Sequence, residues 1–260
     1  MKNLTYLILA GLLISCGSSN SEGEQSSSSQ QTVGPAITLT KAPASPEFPD
    51  ATLTKTDVVV EPNDSSNSVN YAFDVANYEL GVQTEDAATR GIANSGKGQH
   101  IHFIVNNGPY SAHYMPGVSN QLGDGNYVVL AFLSRSYHES VKSPGAFHIE
   151  NLNVGDAAVE EADLSAPHLF YSRPKGTYKG DDTKKLMLDF YLLNTSISAD
   201  GNKVRATING KEFLIDEWAP HYIEGLPMGE VNIKLELIDA SGELIPGPFN
   251  SVERSVTLQE

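Results

Sequence analysis

His100 and His102 stand two residues apart in His100-Ile-His-Phe-Ile-Val105, and six of the seven histidines fall between residues 100 and 168. In a strand, residues two apart project from one face at about 7 Å between Cα atoms. Such a pair can direct two imidazole nitrogens at one metal ion. His113, His138 or Met115 would supply a third ligand, and Glu139 a carboxylate ligand or an orienting hydrogen bond. The candidate metal set is His100, His102 and His138, with His113 as a further member, and imidazoles suit copper or zinc.

A second constellation is cationic. Ser134-Arg135-Ser136-Tyr137 and Ser172-Arg173-Pro174-Lys175-Gly176 are similar stretches. Arg135, His138, Arg173 and Lys175 would form a positive patch suited to a carboxylate, sulfate or phosphate group, or to a phosphopeptide. The plainer alternative is that these arginines cap loops or pair with acids such as Asp181 and Asp182. Tyr171, Tyr178, Tyr191, Trp218 and Tyr222 would make a sugar-stacking platform if exposed. Alternating with Leu and Phe in strands, they read instead as core.

Signatures of catalysis are missing. The chain has no Gly-x-Ser-x-Gly, no phosphate-binding Gly-rich loop before a helix and no His-Glu-x-x-His. The acidic pairs Glu160–Glu161 and Asp181–Asp182 fall in loop-like segments. An enzyme acting on envelope polysaccharide would need two carboxylates converging at about 5–10 Å. The expectation is a binding module without a catalytic residue.

The elements that must position these groups are strands. From Ala51 onward, short runs rich in branched and aromatic residues alternate with Gly, Asn, Asp and Pro. They place strands at residues 53–60, 68–75, 100–105, 127–134 and 147–154, then 168–171, 186–194, 203–208, 211–215, 230–238 and 251–258. This spacing predicts an all-β chain of two tandem immunoglobulin-like antiparallel β-sandwich domains, 51–157 and 158–260. Only residues 87–93 and 155–164 suit a helical turn.

The two halves read as a divergent repeat. His100–Val105 lies over Lys203–Ile208, Leu122–Leu133 over Leu226–Leu237, and Pro144–Phe147 over Pro246–Phe249. Lys203 and Arg205 match His100 and His102, which predicts a polar, solvated face there. In the second copy Val231, Ile233, Leu235 and Leu237 alternate with polar residues. In the first copy Val128, Leu130 and Phe132 make the other face apolar as well. Something must cover that face, and packing of the second half is the expected cover.

The 260 residues carry 17 Lys+Arg against 32 Asp+Glu, a net charge of −15 that argues against a nucleic-acid partner. One cysteine excludes a disulfide framework and any multi-cysteine metal site. That residue, Cys16, follows Lys2 and an apolar stretch from Leu4 to Ile14 that is too short to span a bilayer. Leu13-Ile14-Ser15-Cys16 resembles the lipobox of bacterial lipoproteins. The resemblance implies a signal peptide over residues 1–15, cleavage before Cys16 and acylation of that residue. Removing those residues takes one lysine and no acid, leaving −16. Gly17 after the cysteine implies the outer membrane, facing the periplasm or the surface. Gly17–Thr32, with seven serines, reads as a flexible tether, and the prolines of residues 33–50 as its stiffer continuation with local extended structure.

Three segments carry a wider resemblance: Gly96–Tyr110, Leu133–Ser140 and Leu169–Tyr178. Over about residues 48–258 the chain resembles a family of uncharacterised lipoproteins from Bacteroidetes-type bacteria, with tandem β-sandwich domains, sometimes labelled phosphopeptide-binding. No forkhead-associated-type signature accompanies that label here. The 100–105 strand also resembles the His-rich strand of a small periplasmic domain family. Copper-handling periplasmic β-sandwiches are an analogy of fold alone. Together these readings describe a lipid-anchored envelope module whose partners are the membrane and a protein or small anionic ligand.

Overall fold

A computed structural model describes residues 36–63, 66–156 and 160–260. Cys16, the signal segment and the Ser-rich tether lie outside these residues. Among the described residues sixteen strands follow in chain order. The first eight are β1 (Thr38–Lys41), β2 (Thr52–Pro62), β3 (Asn67–Ala76), β4 (His100–Val105), β5 (Ser111–His113), β6 (Gly117–Leu122), β7 (Gly125–Ser134) and β8 (Phe147–Val154). The rest are β9 (His168–Arg173), β10 (Gly176–Lys179), β11 (Lys185–Leu193), β12 (Lys203–Ile208), β13 (Lys211–Ile215), β14 (His221–Glu224), β15 (Gly229–Ile238) and β16 (Ser251–Gln259). The helical turn α1 (Ala87–Arg90) falls where residues 87–93 suggested one, and a 3-10 turn lies at Gly180–Thr183. Among the described residues of 155–164 there is no helix.

The strands build two immunoglobulin-like sandwiches. In the first, a sheet ordered β2-β3-β6 faces a sheet ordered β5-β4-β7-β8. In the second, β1-β14-β11-β9 faces β10-β16-β15-β12-β13. Pairing is antiparallel throughout except for β10 beside β16. Each sandwich closes over its own core. Leu53, Val69, Phe103, Val129 and Leu133 fill the first, and Leu186, Leu188, Val204, Ile233 and Leu235 the second.

One assignment is corrected here. Residues 38–41 are not tether: β1 pairs along its length with β14 and so extends the second sandwich. Its sequence, Thr-Leu-Thr-Lys, carries one apolar side chain among prolines on either side, too little periodicity to register as a strand. Ala42 just beyond it is buried, and Pro43, Ala44 and Pro46 offer backbone carbonyls to Arg90 and Arg135.

The repeat holds in detail. Asn106 and Asn209 both take positive φ, and each accepts the backbone N–H of the next long strand, from Val128 and Asn232 respectively. The turn Arg135–Glu139 has the same hydrogen bonds as Asp239–Glu243. Arg135 N–H donates to Glu139 O and His138 N–H to Arg135 O; Asp239 N–H donates to Glu243 O and Gly242 N–H to Asp239 O.

The apolar outer face of β7 is covered by the second half. Val128, Leu130 and Phe132 pack with Ile104, Phe170, Tyr191, Leu193 and Phe249 into a third core between the sandwiches. Burying each of these large side chains contributes roughly 1.5–3 kcal/mol, so the seam is no transient contact. Two buried polar side chains reinforce it. Asn107 donates to the carbonyls of Leu169 and Phe249 and accepts from Tyr171 N–H. Asp189 accepts from Ser140 N–H, Ser140 Oγ and Lys142 Nζ. Both sandwiches accordingly belong to one compact unit.

Candidate metal centre

Strand alternation decides where the histidines go. Ile101 and Phe103 of β4 enter the first core, so His100, His102 and Ile104 point the other way, into the seam. Both imidazoles are 0 % exposed. The solvated face suggested by Lys203 and Arg205 is therefore not what the first half presents. The second half covers it, and β9 lies against it through Ser172.

Three ring nitrogens converge. His100 Nε2 lies 2.9 Å from His102 Nε2 and 3.0 Å from His138 Nδ1. The ligand atoms of all three residues fall within 4.8 Å of one another. A zinc–nitrogen bond of about 2.0–2.1 Å sets tetrahedral ligand nitrogens about 3.3 Å apart, so small side-chain rotations seat an ion among them.

His100 Nδ1 is 2.8 Å from Gly98 O. A carbonyl only accepts, so Nδ1 carries the proton and Nε2 a single lone pair. That lone pair accepts one hydrogen, yet two nitrogens stand within hydrogen-bond distance of it. With all three rings neutral, either one close contact sets lone pair against lone pair or two N–H groups crowd onto that single lone pair. A bound cation removes the conflict. Burial disfavours a proton in that role: it lowers the His100 pKa to about 4 and pulls His102 and His138 well below the ordinary imidazole value.

The surroundings orient the ligands. His102 Nδ1 is 3.1 Å from Ser172 Oγ, a contact that leaves Nε2 aimed at the centre. Tyr110 stacks on the His102 ring at 3.5 Å and 9°, and its hydroxyl lies 3.2 Å from His138 Nδ1. Nearby Tyr114 sits with its ring 5.0 Å from that of His100.

His138 arrives by a strained route. Its φ is 69°, in the left-handed region, and the matching turn of the second half has Gly242 there with φ 89°. A side chain at such a position costs of order 1 kcal/mol, which the equivalent glycine avoids. His100, His102 and His138 thus replace Lys203, Arg205 and Gly242, so the trio belongs to the first copy alone. Positions 205 and 242 are neighbours too, since Arg205 Nη1 reaches the backbone carbonyl of Gly242 at 3.5 Å.

The other candidates separate from this set. His113 is outside the trio, with Nε2 2.7 Å from Ser111 Oγ, because on β5 it stands against Phe103. Met115 is 71 % exposed. Glu139 turns to Arg135 and Ser45. Arg135 is spent on Glu139 and on the carbonyls of Pro46 and Ser140, whereas Arg173 and Lys175 border Tyr110. The four-residue anion set is therefore split by the Arg135–Glu139 pair. Tyr171, Tyr178, Tyr191 and Tyr222 are buried and offer no stacking platform, while Trp218 is partly buried and donates to Phe190 O. Ser172, Tyr110 and Gly98 complete the centre and escape a reading by ligand types, since none is a usual metal-ligand residue.

No protein-family model matches the chain, and no curated protein matches it. Among solved structures, the fibronectin(III)-like modules of Clostridium thermocellum CbhA are 13% identical, over 80% of this chain and 94% of that one, with a TM-score of 0.28. The central fibronectin-III array of RIM-binding protein is 10% identical, over 84% and 72%, with a TM-score of 0.26. A mixed-linkage glucan utilisation protein of Bacteroides ovatus, SGBP-B in complex with a heptasaccharide, is 11% identical, over 84% and 64%, with a TM-score of 0.20.

Proposed function

We propose that the chain is a lipid-anchored binding module of the outer membrane whose His100–His102–His138 centre holds copper or zinc. The observation that carries the metal reading is the convergence of three ring nitrogens on one point, where two of them compete for the single lone pair of His100 Nε2 within 3.0 Å. Nitrogen-only ligation from imidazoles suits these late metals over calcium or magnesium, which take oxygen. The Cys16 lipobox supports the anchor.

The reading is of a binding protein, not an enzyme. The groups hydrogen-bonded to the trio are the Gly98 carbonyl, the Ser172 hydroxyl and the Tyr110 phenol, and none is a carboxylate base. Phosphopeptide docking on Arg135, His138, Arg173 and Lys175 is the weaker reading, because Arg135 already has its carboxylate.

Calorimetric titration of the full-length protein with Cu(II), Cu(I) and Zn(II) tests the proposal. Wild type is expected to take one ion per chain. The double variant His100→Ala/His102→Ala, and separately His138→Gly, should bind it about a hundredfold more weakly or worse. Equal, weak binding by all three proteins would sink the metal reading.

A further inference from the structure

Arg90, Arg135 and Arg205 each bridge a carboxylate, to Asp86, Glu139 and Glu236. The two remaining arginines, Arg173 and Arg254, have no acidic partner among the described residues, and neither has Lys175. All three lie around Tyr110, Tyr171 and Tyr178. Arg173 Nη1 donates to Tyr178 Oη, and its Cζ is 5.9 Å from the Tyr110 ring. Arg254 donates through Nη2 to the carbonyls of Asn107 and Gly108, over the Tyr171 ring at 4.5 Å, and its Nη1 is buried without a partner. Lys175 Nζ donates to Tyr110 O and sits 3.9 Å from the centroid of that ring.

His102 already occupies one face of Tyr110 at 3.5 Å, so the Lys175 ammonium must lie on the other. One phenol ring separates the imidazole cluster from a lysine. In a chain of net charge −15, three cations gather here with only neutral partners. Gathering like charges in a partly desolvated seam is unfavourable unless a counter-charge joins them. A metal ion at the trio adds more positive charge to the same place.

We infer that the cation of the His100–His102–His138 centre is held together with a small exogenous oxyanion, which Lys175 and Arg173 bind at the solvent edge of the centre. This rests on the metal reading above. His138 and Lys175 are the partly exposed members of the group, so the edge open to a ligand lies on their side. Reaching past the hydroxyl edge of the intervening Tyr110 ring, which lies beside His138, the anion pairs with the ammonium and guanidinium by charge-assisted hydrogen bonds and fills a coordination position that three histidines leave open. Burial and the two guanidiniums also hold the Lys175 pKa below its ordinary value, the signature of an uncompensated cation.

Azide titrated into the Cu(II)-loaded full-length protein tests this, because azide-to-copper charge transfer absorbs where the protein does not. Saturable binding is expected, with inorganic phosphate displacing the azide. Lys175→Met and Arg173→Gln should each weaken azide about tenfold or more, while copper affinity holds or rises. Lys211→Met, an exposed cation over Phe213, should change neither. Unchanged azide affinity in Lys175→Met, a substitution at a partly exposed side chain, overturns the inference, as does a copper protein that takes no azide. Failure of wild type to bind copper is read beforehand by calorimetry and removes the metal reading itself.

Discussion

His138 and Gly242 hold the same position in two copies of one turn, with φ of 69° and 89°. The strain at His138 makes its replacement by the residue of the other copy an informative one. His138→Gly relieves the left-handed side chain but frees the unfolded backbone and gives up contacts to His100 and Tyr110. Metal-free stability should stay within about 1 kcal/mol of wild type. Urea denaturation measures it, and a larger loss would mean that the turn depends on the imidazole for folding.

Acid should destabilise the metal-free protein. Burial holds His100 at about 4, against about 6.5 in an unfolded chain. Between those values the unfolded state binds a proton that the folded state refuses. The stability is therefore fully present above about pH 6.5 and is lost as pH falls toward 4. The slope is about 1.4 kcal/mol per pH unit for one such group. His102 and His138, also lowered by burial, act in the same direction. The urea midpoint should fall between neutral pH and about pH 5, and fall less in His100→Gln; a flat midpoint would contradict a buried neutral trio.

Ser172→Ala tests the contact that reaches the centre from the second sandwich. Without the hydroxyl 3.1 Å from His102 Nδ1, the ring loses its tautomeric anchor. Metal affinity should drop roughly ten- to a hundredfold while the fold persists. Ser172→Thr, which keeps the hydroxyl, should restore most of it, and equal affinity in all three proteins would show that Ser172 has no positioning role.

Asn107→Ala should be the costliest of these substitutions. It removes three hydrogen bonds across the seam and leaves the carbonyls of Leu169 and Phe249 and the Tyr171 N–H without that partner. A loss of about 3 kcal/mol is expected from thermal or urea unfolding. A much smaller loss would mean that the seam is held by its apolar core alone.

Local pattern made the strands readable. Residues 100–105, 147–154, 203–208 and 211–215 are alternating or continuous apolar runs bounded by turn residues, and they fold as such. The strands at residues 38–41, 111–113, 117–122, 176–179 and 221–224 are short or polar, and tertiary pairing makes them. The His-x-His pair was visible for the same local reason. That its face is buried was not, because the second copy carries Lys203 and Arg205 at those positions and only the packing of Phe170 and Tyr191 closes the seam. The sequence places His138 in the candidate set with His113 as a further member, and the fold of the Arg135–Glu139 turn, which no spacing rule encodes, is what separates the two.

The location of the trio at the seam has a thermodynamic corollary. Its histidines come from the first sandwich and its orienting hydroxyl from the second, so under the proposed metal reading ion uptake and docking of the two sandwiches would be linked equilibria. Whatever free energy docking lends to the ion, the ion returns to docking. A ligand or mechanical load that parts the sandwiches would then release the ion, and loading the ion would stiffen the joint.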